Sequence, residues 1–335
     1  MTTETLIRPA DETVAKPLLS IAGLQVRYGR THAVRGIDLD IMPGESVAIL
    51  GESGSGKSVT GKAVMGLINS PGKVGGSVEF DGMQLVGRSE AALRAVRGPG
   101  IAMVFQDSLD ALNPVFSIGN QIIEIFTVRL GWSRRQARDE AIRLMLQVGI
   151  VNPESRLDDY PHQFSGGMRQ RICIAMAIAL KPRLLIADEP TTALDVTVQA
   201  GILKLISQLQ RDSGMALLFV THDLAVARQV ARKLVVMYAG RVVERGPINA
   251  VFHRTAHPYT RALLGSNPGS VKHWSELKPI AGNPPDKSAV FTGCAFAPRC
   301  PRAVRMCSDR EPDFVTVADG RQSRCHFAQE MFDGR

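Results

Sequence analysis

The chain has 335 residues, of which 44% are hydrophobic and 21% are charged, a composition that is typical of a folded protein and excludes general disorder. Its formal net charge of +8 is modest for this length and is explained by a solvated surface, with attraction to acidic lipid headgroups or nucleic acid as the alternative. No apolar run approaches the ~18–20 residues that span a bilayer, so any membrane role is expected to come through a partner. Residues 1–17 are polar and lack a secretory apolar region, which predicts a flexible tail on a cytosolic protein.

Short apolar segments predict strands between residues 18 and 106. The segments are LLSIAGLQVRYG from Leu18, then AVRGIDLDI, SVAIL, SVEFDGMQL and IAMVFQ, and they are bounded by Gly, Pro or Asp, as strands usually are. Residues 117–150 change to the apolar spacing of helices, and Ser133 offers an N-cap to the second of them. We therefore expect a helical subdomain over about residues 107–163.

After Phe164, apolar strands alternate with helices. The strand-like segments are LLIAD, ALLFVT and KLVVMY, and the helical ones are MRQRICIAMAIAL, VTVQAGILKLISQLQ and LAVARQVA. This alternation predicts an α/β fold with a parallel sheet covered on both faces. From about Asn267, Pro, Gly, Arg and Cys become frequent and the periodicity fades. The prediction is one domain over residues 18–265 and a small appended region over residues 266–335.

The glycine-rich segment GESGSGKS, Gly51–Ser58, matches the phosphate-loop pattern of Gly, four residues and Gly-Lys-Ser. It follows the strand-like SVAIL and opens a predicted helix, where backbone N–H groups and the helix start attract an anion. Lys57 would contact the β- and γ-phosphates of a nucleotide, and Ser58 would ligate Mg²⁺. The alternative is a chance glycine-rich turn. The loop residues predicted to bind nucleotide are Gly51, Ser53, Gly54, Gly56, Lys57 and Ser58.

Two carboxylates end the segment LLIADEP. Asp188 ends an apolar strand, from which it can reach Mg²⁺ directly or through water. Glu189 follows and would point the other way, which suits a general base that polarises an attacking water. The alternative is two carboxylates in an ordinary strand-end turn. The phosphate loop earlier in the chain favours the catalytic interpretation.

The segment FSGGMRQR, Phe164–Arg171, resembles the LSGGQ-like signature of ABC ATPases, with Phe in place of Leu and Met in place of Gln. With the phosphate loop and LLIADEP in the same order, the resemblance covers nearly the whole chain. It implies a P-loop NTPase with a RecA-like core, an antiparallel β subdomain, a helical subdomain and a small C-terminal extension. It also implies that ATP and Mg²⁺ are the cofactors of an ATPase.

Four further positions match motifs of this family. Gln106 resembles the Q-loop glutamine, which senses the γ-phosphate and would join Ser58 and Asp188 at Mg²⁺. His222 resembles the switch histidine and Tyr28 the aromatic residue that stacks on adenine, although a strand-end histidine or a packing aromatic is the alternative for each. Asp195, in TALD, lies where the family has its D-loop.

The signature implies a dimer. In ABC proteins the nucleotide is held between the phosphate loop of one subunit and the signature of the other, and closure of the dimer is a two-state switch biased by ATP. This chain has one phosphate loop and one signature, so it must pair with itself or with a similar subunit. The residues expected to act on the partner's ATP are Ser165, Gly166, Gly167 and Met168.

Two segments resemble the ATPases of dipeptide and oligopeptide importers. One is QDSLDALNPVFSIGNQIIE after the Q-loop, and the other contains His257-Pro258-Tyr259-Thr260. The resemblance implies two different ATPase subunits, two transmembrane permease subunits received partly by residues 107–120, and an extracytoplasmic solute-binding protein, at the cytoplasmic side of the inner membrane. Nickel, glutathione or another small solute is the alternative cargo, and a soluble ABC protein acting on nucleic acid or ribosomes is a remote alternative. No nucleic-acid partner is expected.

Four of the five cysteines lie in the last 42 residues of the chain, at Cys294, Cys300, Cys307 and Cys325. Four thiolates in a short, loop-rich segment could converge on one metal, although no Cys-x-x-Cys pair of the zinc-ribbon type is present. Resemblance to peptide-importer ATPases implies a 4Fe–4S cluster, with zinc or unligated thiols as the alternatives. Arginines near these cysteines, Arg299 among them, would offset the charge of thiolate ligands.

Overall fold

The computed structural model describes residues 16–106, 111–192, 194–266 and 279–334, so almost all of the predicted tail over residues 1–17 lies outside the described residues. The strands are β1 Leu19–Tyr28, β2 Thr31–Ile41, β3 Ser46–Leu50, β4 Gly72–Phe80, β5 Met83–Gln84, β6 Ile101–Val104, β7 Leu184–Asp188, β8 Ala216–Thr221, β9 Lys233–Tyr238, β10 Arg241–Pro247, β11 Val315–Ala318 and β12 Arg321–Ser323. The α-helices are α1 Lys57–Val64, α2 Glu90–Val96, α3 Ile118–Leu130, α4 Arg134–Gln147, α5 Pro153–Arg156, α6 Gly166–Ile178, α7 Val196–Ser213, α8 Leu224–Val230, α9 Ile248–His253, α10 Pro258–Gly265, α11 Arg305–Asp309 and α12 Ala328–Asp333.

A mixed sheet forms the centre of the molecule. Its strand order is β11-β12-β10-β9-β3-β8-β7-β6, in which β6, β7, β8, β3 and β9 run parallel and the other neighbours are antiparallel. The parallel strands β3, β7 and β8 are buried at every residue, because helices or strands cover both faces of the sheet. The α/β fold with a covered parallel sheet that the sequence predicts is confirmed.

Two hydrophobic cores lie on opposite faces of this sheet. In β3, Val47 and Ile49 pack in the core shared with α1 and the antiparallel sheet β2-β1-β4-β5. Ala48 and Leu50 pack in the other core, which is shared with α3, α4, α6 and α7. This division follows from the period of two along a strand, which sends successive side chains to opposite faces.

Helices occupy the region where the sequence predicts a helical subdomain, and its predicted bounds of about 107–163 stay a prediction. Ser133 caps α4 as expected: its side chain accepts from the Gln136 N–H, and the Gln136 side chain reaches back to the Ser133 N–H in a capping box. Within the parts of the chain that are described, no helix is long and apolar enough to cross a membrane.

The C-terminal region joins the main sheet instead of standing apart from it. Strand β12 pairs antiparallel with β10, with Glu244 opposite Ser323, and β11 extends the edge beyond it. A buried ion pair of 3.2 Å joins Arg321 of β12 to Glu244 of β10. The predicted boundary near residue 265 therefore separates segments that share one sheet.

Candidate nucleotide-binding site

The glycine-rich loop lies between the buried strand β3 and helix α1, as its sequence context predicts. Gly51 packs so closely on β9 that an added Cβ would lie 2.2 Å from the Met237 carbonyl oxygen. Gly56 has a φ of 103° and faces the Ala33 carbonyl oxygen, which an added Cβ would approach to 2.4 Å. Larger residues would displace the loop at both positions, so the glycines give it a curled backbone that leaves N–H groups at the start of α1 for an anion.

The lysine of this loop is buried and held by the loop itself. Lys57 Nζ donates to the carbonyl oxygens of Gly51 at 2.8 Å and Glu52 at 3.0 Å. Burial lowers the pKa of Lys57, while the charges of Glu189, Asp188 and Glu52 act in the opposite direction. An ammonium group kept in place by backbone carbonyls is ready to exchange those contacts for phosphate oxygens.

The strand-end aspartate lies beside the same loop. The Ser58 hydroxyl donates to Asp188 Oδ1 at 2.7 Å, so the structure brings together two of the predicted Mg²⁺ ligands. Burial, the largest cause, and the neighbouring Glu189 carboxylate raise the pKa of Asp188, and the Ser58 hydrogen bond lowers it. A hydroxyl and a carboxylate at this spacing form an oxygen donor set of the kind that Mg²⁺ prefers.

Four side chains converge on the Glu189 carboxylate. Lys57 Nζ lies 4.0 Å from Oε1, and His222 Nδ1 lies 3.1 Å from Oε2. The Gln106 amide nitrogen lies 3.4 Å from Oε2, and the Thr192 hydroxyl donates to the same oxygen at 3.0 Å. Residues from four separate segments of the chain thus meet at one carboxylate.

Sequence reasoning identified three of these four neighbours and missed Thr192 as a contact of the base. The signal was its position three residues after Glu189, in the turn that follows β7. Gln106 differs slightly from expectation, because β6 ends at Val104 and Gln106 lies in a bend beyond it.

The signature residues lie at the start of α6. Ser165 is the N-cap and its hydroxyl accepts from the Met168 N–H at 3.4 Å. Gly166 and Gly167 are the first helical residues, whereas the sequence placed them before the helix. The difference follows from the Ser165 cap, which starts the helix at the next residue.

Two further predicted residues, Asp195 and Tyr28, also lie at element ends. Asp195 is the N-cap of α7 and accepts from the Val198 N–H at 2.9 Å. Tyr28 ends β1 opposite Thr31 and Gly72, and its ring packs against Gly72. Their contacts are those of structural residues, and their predicted roles at the nucleotide stay predictions.

Comparison with known proteins identifies the family. The family model described as ABC transporter matches residues 34–192, and the model described as Oligopeptide/dipeptide transporter, C-terminal region matches residues 243–307. The dipeptide transport ATP-binding protein DppD of Escherichia coli is 49% identical over 315 residues, covering 92% of this chain and 96% of the relative. The chain belongs to the ABC transporter ATP-binding proteins. The Bacillus subtilis protein of the same description is 44% identical over 314 residues, covering 92% of this chain and 94% of that one.

Solved ABC transporter structures share the fold. A dimeric ATP-binding cassette in a post-hydrolysis state bound to ADP and Pi matches with a TM-score of 0.61 and 28% identity, covering 69% of this chain and 98% of that one. The cbiO1 protein from Clostridium perfringens, part of an ABC transporter complex, matches with a TM-score of 0.60 and 29% identity, covering 71% and 91%. The expected P-loop ABC cassette and ATPase activity are therefore confirmed for this ABC transporter ATP-binding protein.

The four C-terminal cysteines line one small cavity, together with the buried His257. As placed, no three His, Cys, Asp or Glu side chains of the described ranges are arranged to hold a metal ion. The cysteines are nevertheless neighbours, since all four line this cavity. Burial is the main cause that raises the pKa of Cys325 to about 12, and the charges of Cys294, Cys300 and Cys307 act in the same direction. The thiols are therefore close together without being oriented as ligands.

The cavity supplies hydrogen-bond donors to sulfur. Backbone N–H groups lower the pKa of three of the four thiols against the larger effect of burial: those of Phe296 and Ala297 act on Cys294, that of Arg302 on Cys300 and that of Phe327 on Cys325. Such N–H groups stabilise thiolates and the sulfurs of iron–sulfur clusters. The buried His257 ring also lines this cavity, and its contact with the Arg324 backbone raises its pKa against the larger effect of burial. Donor set and surroundings fit a metal–thiolate centre.

Arg299, which directly precedes Cys300 in the sequence, pairs with a carboxylate and not with the thiols. Its partner is Glu52 of the glycine-rich loop, at 2.7 Å. The expectation that Arg299 offsets thiolate charge is wrong, because a carboxylate from a distant part of the chain takes both ends of its guanidinium group.

Proposed function

We propose that this ABC transporter ATP-binding protein powers the import of di- and oligopeptides across the cytoplasmic membrane by hydrolysing ATP. The observation that carries the proposal is the convergence of Lys57, Gln106, His222 and Thr192 on the Glu189 carboxylate. Such a constellation suits a base next to a phosphate site. The relatives support the peptide cargo, since they are described as dipeptide transport ATP-binding proteins and the similarity covers 92% of this chain.

The nucleotide site would work by charge and position. The loop N–H groups and Lys57 bind the β- and γ-phosphates, and Tyr28 stacks on adenine. Ser58, Asp188 and Gln106 would hold Mg²⁺, which neutralises phosphate charge when it is bound. The short Ser58–Asp188 contact of 2.7 Å supports this assignment.

Glu189 is the proposed general base. Its carboxylate takes the proton of the attacking water. His222, whose Nδ1 lies 3.1 Å from Glu189 Oε2, would orient this carboxylate toward the γ-phosphate. The proton ends on the Glu189 carboxylate. The water oxygen forms a bond to the γ-phosphorus while the bond from that phosphorus to the bridging oxygen breaks, so ADP leaves with the bridging oxygen and inorganic phosphate carries the water oxygen. Base assistance of this kind contributes about 10²–10⁴ in rate.

A second subunit completes the site. Ser165, Gly166, Gly167 and Met168 would present a hydroxyl and N–H groups to ATP bound by the partner, with Asp195 at the same interface. The dimeric form of a structural relative supports this arrangement. We propose a heterodimer with a second ABC ATPase, docked on two permease subunits at the cytoplasmic side of the inner membrane and served by an extracytoplasmic solute-binding protein. The proposed docking segment, residues 107–120, lies partly outside the described residues.

Glu189→Gln tests the motor. In the assembled complex we expect ATP binding to be retained, turnover to fall by at least about a hundredfold, and the closed dimer to accumulate with Mg²⁺ and ATP. Glu79→Gln, an exposed carboxylate on β4, is the matched control and should hydrolyse ATP at the parental rate. Parental turnover in Glu189→Gln would remove the base assignment.

The cargo is tested by transport. The chain is purified from membranes with its partners and reconstituted in vesicles, and ATP-dependent uptake of labelled dipeptide, nickel and glutathione is measured. We expect uptake of the dipeptide and stimulation of ATP hydrolysis by the loaded binding protein. Uptake of only nickel or glutathione would overturn the peptide proposal and leave the motor role intact.

We further propose that Cys294, Cys300, Cys307 and Cys325 hold a 4Fe–4S cluster that stabilises the C-terminal fold. The shared cavity and the N–H groups directed at sulfur support it. Anaerobic purification should give coloured protein with iron and labile sulfide, and Cys307→Ser should lose both. Zinc without sulfide, or protein with neither metal, would contradict the cluster.

A further inference from the structure

Two residues from the C-terminal part of the chain, Tyr259 and Arg299, form hydrogen bonds with the phosphate loop at Glu52. We propose that Arg299 and Tyr259 are positioning residues for ATP, which act by fixing Glu52, the second residue of the loop. The inference rests on the proposed function, since it assigns the residues that hold the same nucleotide site in its binding shape.

The first contact is a partly buried ion pair with two hydrogen bonds. Arg299 donates from its two terminal nitrogens to the two Glu52 carboxylate oxygens, at 2.7 and 3.1 Å. The Arg299 side chain is only 4% exposed and the Glu52 side chain 24% exposed, so water and salt reach the pair from the Glu52 side alone. Bidentate pairs fix orientation as well as distance. The guanidinium group therefore defines where the Glu52 side chain lies.

The second contact holds the backbone of the same residue. The Glu52 N–H donates to the Tyr259 hydroxyl at 2.9 Å, and the Glu52 carbonyl oxygen accepts from Lys57 at 3.0 Å. Tyr259 is fully buried near the start of α10. All three polar parts of Glu52 are thus held, two of them by residues that follow the phosphate loop by more than two hundred positions.

Tyr259 and Arg299 both contact one aromatic cluster. The rings of Tyr238 and Tyr259 lie 4.6 Å apart, and Phe296 packs against both at 5.3 and 5.4 Å. Arg299 also donates to the Tyr238 hydroxyl at 3.3 Å. Because these aromatic side chains are rigid and buried, a shift of the C-terminal region would be transmitted to Glu52.

A neighbouring segment adds a second support. The His32 N–H donates to the Lys287 carbonyl oxygen at 3.2 Å, and Arg35 donates to the carbonyl oxygens of Lys287 and Ala289 at 3.2 and 2.7 Å. The Lys287 side chain lies against Gly54, where an added Cβ would meet it at 2.9 Å. The C-terminal region therefore touches the loop at two of its residues.

The charge of Glu52 gives the pair a consequence for nucleotide affinity. Glu52 is one of the carboxylates whose charge acts on the pKa of Lys57, so its field reaches the lysine that meets the phosphates. Paired with Arg299, this charge is compensated; without Arg299, it would repel a triphosphate and leave the loop less fixed. Loss of Arg299 should weaken ATP binding more than it slows the chemical step.

The experiment is a double-mutant cycle on the purified complex with Mg²⁺ and ATP. Arg299→Gln should raise KM for ATP about tenfold and leave kcat within twofold, because it removes ground-state binding. Glu52→Gln added to Arg299→Gln should recover most of that loss, since no uncompensated charge remains. Tyr259→Phe should raise KM in the same direction. Arg305→Gln, in the same segment but with a 95% exposed side chain, is the matched control and should keep the parental KM.

The outcomes separate the inference from the proposed function. A parental KM in both Arg299→Gln and Tyr259→Phe overturns the inference. So does a double variant whose fold-change in KM equals the product of the fold-changes measured for Arg299→Gln and Glu52→Gln alone. A merely structural role would lower the active fraction, and so kcat, with KM unchanged. Lys57→Ala is the reference: unchanged ATP binding in that variant would contradict the proposed function itself, whatever Arg299→Gln does.

Discussion

Glu189 has a left-handed backbone with a φ of 46°, which a side chain other than glycine adopts at a cost of about 1–3 kcal/mol. Its N–H donates to the Val220 carbonyl oxygen of the neighbouring strand at 2.9 Å, so the sheet holds this conformation. The turn directs the carboxylate toward Lys57 and His222 and away from the strand axis. Strain that the sheet compensates thus gives the base a fixed direction.

Thr192→Val tests whether the turn positions the base. The Thr192 hydroxyl donates to Glu189 Oε2 at 3.0 Å, and a valine of similar shape removes that hydrogen bond. We expect kcat to fall about tenfold with KM for ATP unchanged, because hydrogen bonds to charged groups contribute about 1.5–3 kcal/mol. Thr192→Ser keeps the hydroxyl and should stay within twofold of the parental kcat. Equal rates for the valine and serine variants would show that Thr192 does not hold the base.

Sequence spacing identified the residues whose chemistry is local. Lys57 and Ser58 belong to one contiguous motif, and Asp188 and Glu189 end one strand, so their neighbourhood followed from the order of elements. The Arg299–Glu52 pair could not be found this way, because its partners lie 247 positions apart and meet only through tertiary packing. The motif around Tyr259 was recognised by resemblance alone, and the structure gives it a contact with the phosphate loop.

At the scale of elements, the first turn of α10 carries an unusual cap. His257 Nδ1 accepts from the Tyr259 N–H at 3.0 Å, so this nitrogen carries no proton and the ring is neutral. Glu244 in turn accepts from the N–H groups of Ala256 and His257, at 2.8 and 3.1 Å, and pairs with Arg321 of β12. Sequence patterns missed β11 and β12 because they are short, and because the pairing of β12 with β10 and of β11 with β12 decides their conformation.

The His257 cap predicts a stability that depends on pH. Burial lowers the pKa of His257 to about 3, whereas an unfolded histidine has a pKa of about 6.5. Below pH 6.5 the unfolded chain therefore binds a proton that the folded chain excludes. The free energy of unfolding should fall by about 1.4 kcal/mol per pH unit between these values and should not depend on this group above pH 6.5.

Denaturant unfolding at pH 7.5 and 5.5 measures this dependence. His257→Asn keeps a side chain that can cap a helix but cannot titrate, so its loss on acidification should be smaller by about 1.4 kcal/mol. His253→Asn is the control, because His253 is exposed at the end of α9 and its variant should retain the parental loss. The same acid-induced loss in His257→Asn and the parent would show that His257 is not the group responsible.

At the scale of the whole molecule, the phosphate loop and the signature lie at the starts of two different helices, α1 and α6, each with the open N–H groups of a first turn. Gly167 is packed against α7, where an added Cβ would lie 2.4 Å from Val198 Cγ1. Gly166 has room, since its nearest atom would be Leu194 Cδ2 at 3.6 Å. Gly166 therefore offers a position where the proposed subunit interface can be changed without disturbing the fold of the chain.

Gly166→Glu tests whether a second subunit completes the site. A Cβ at this position meets no atom closer than 3.6 Å, and the added carboxylate would face the γ-phosphate of ATP held by the partner, where like charges repel. We expect ATP binding by the isolated chain to stay at the parental level, while ATP hydrolysis in the assembled complex falls at least about tenfold and closed dimers fail to accumulate. Gly166→Ala adds no charge and should stay close to the parental rate. Hydrolysis at the parental rate in Gly166→Glu would mean that the signature of this chain does not act on the partner's nucleotide.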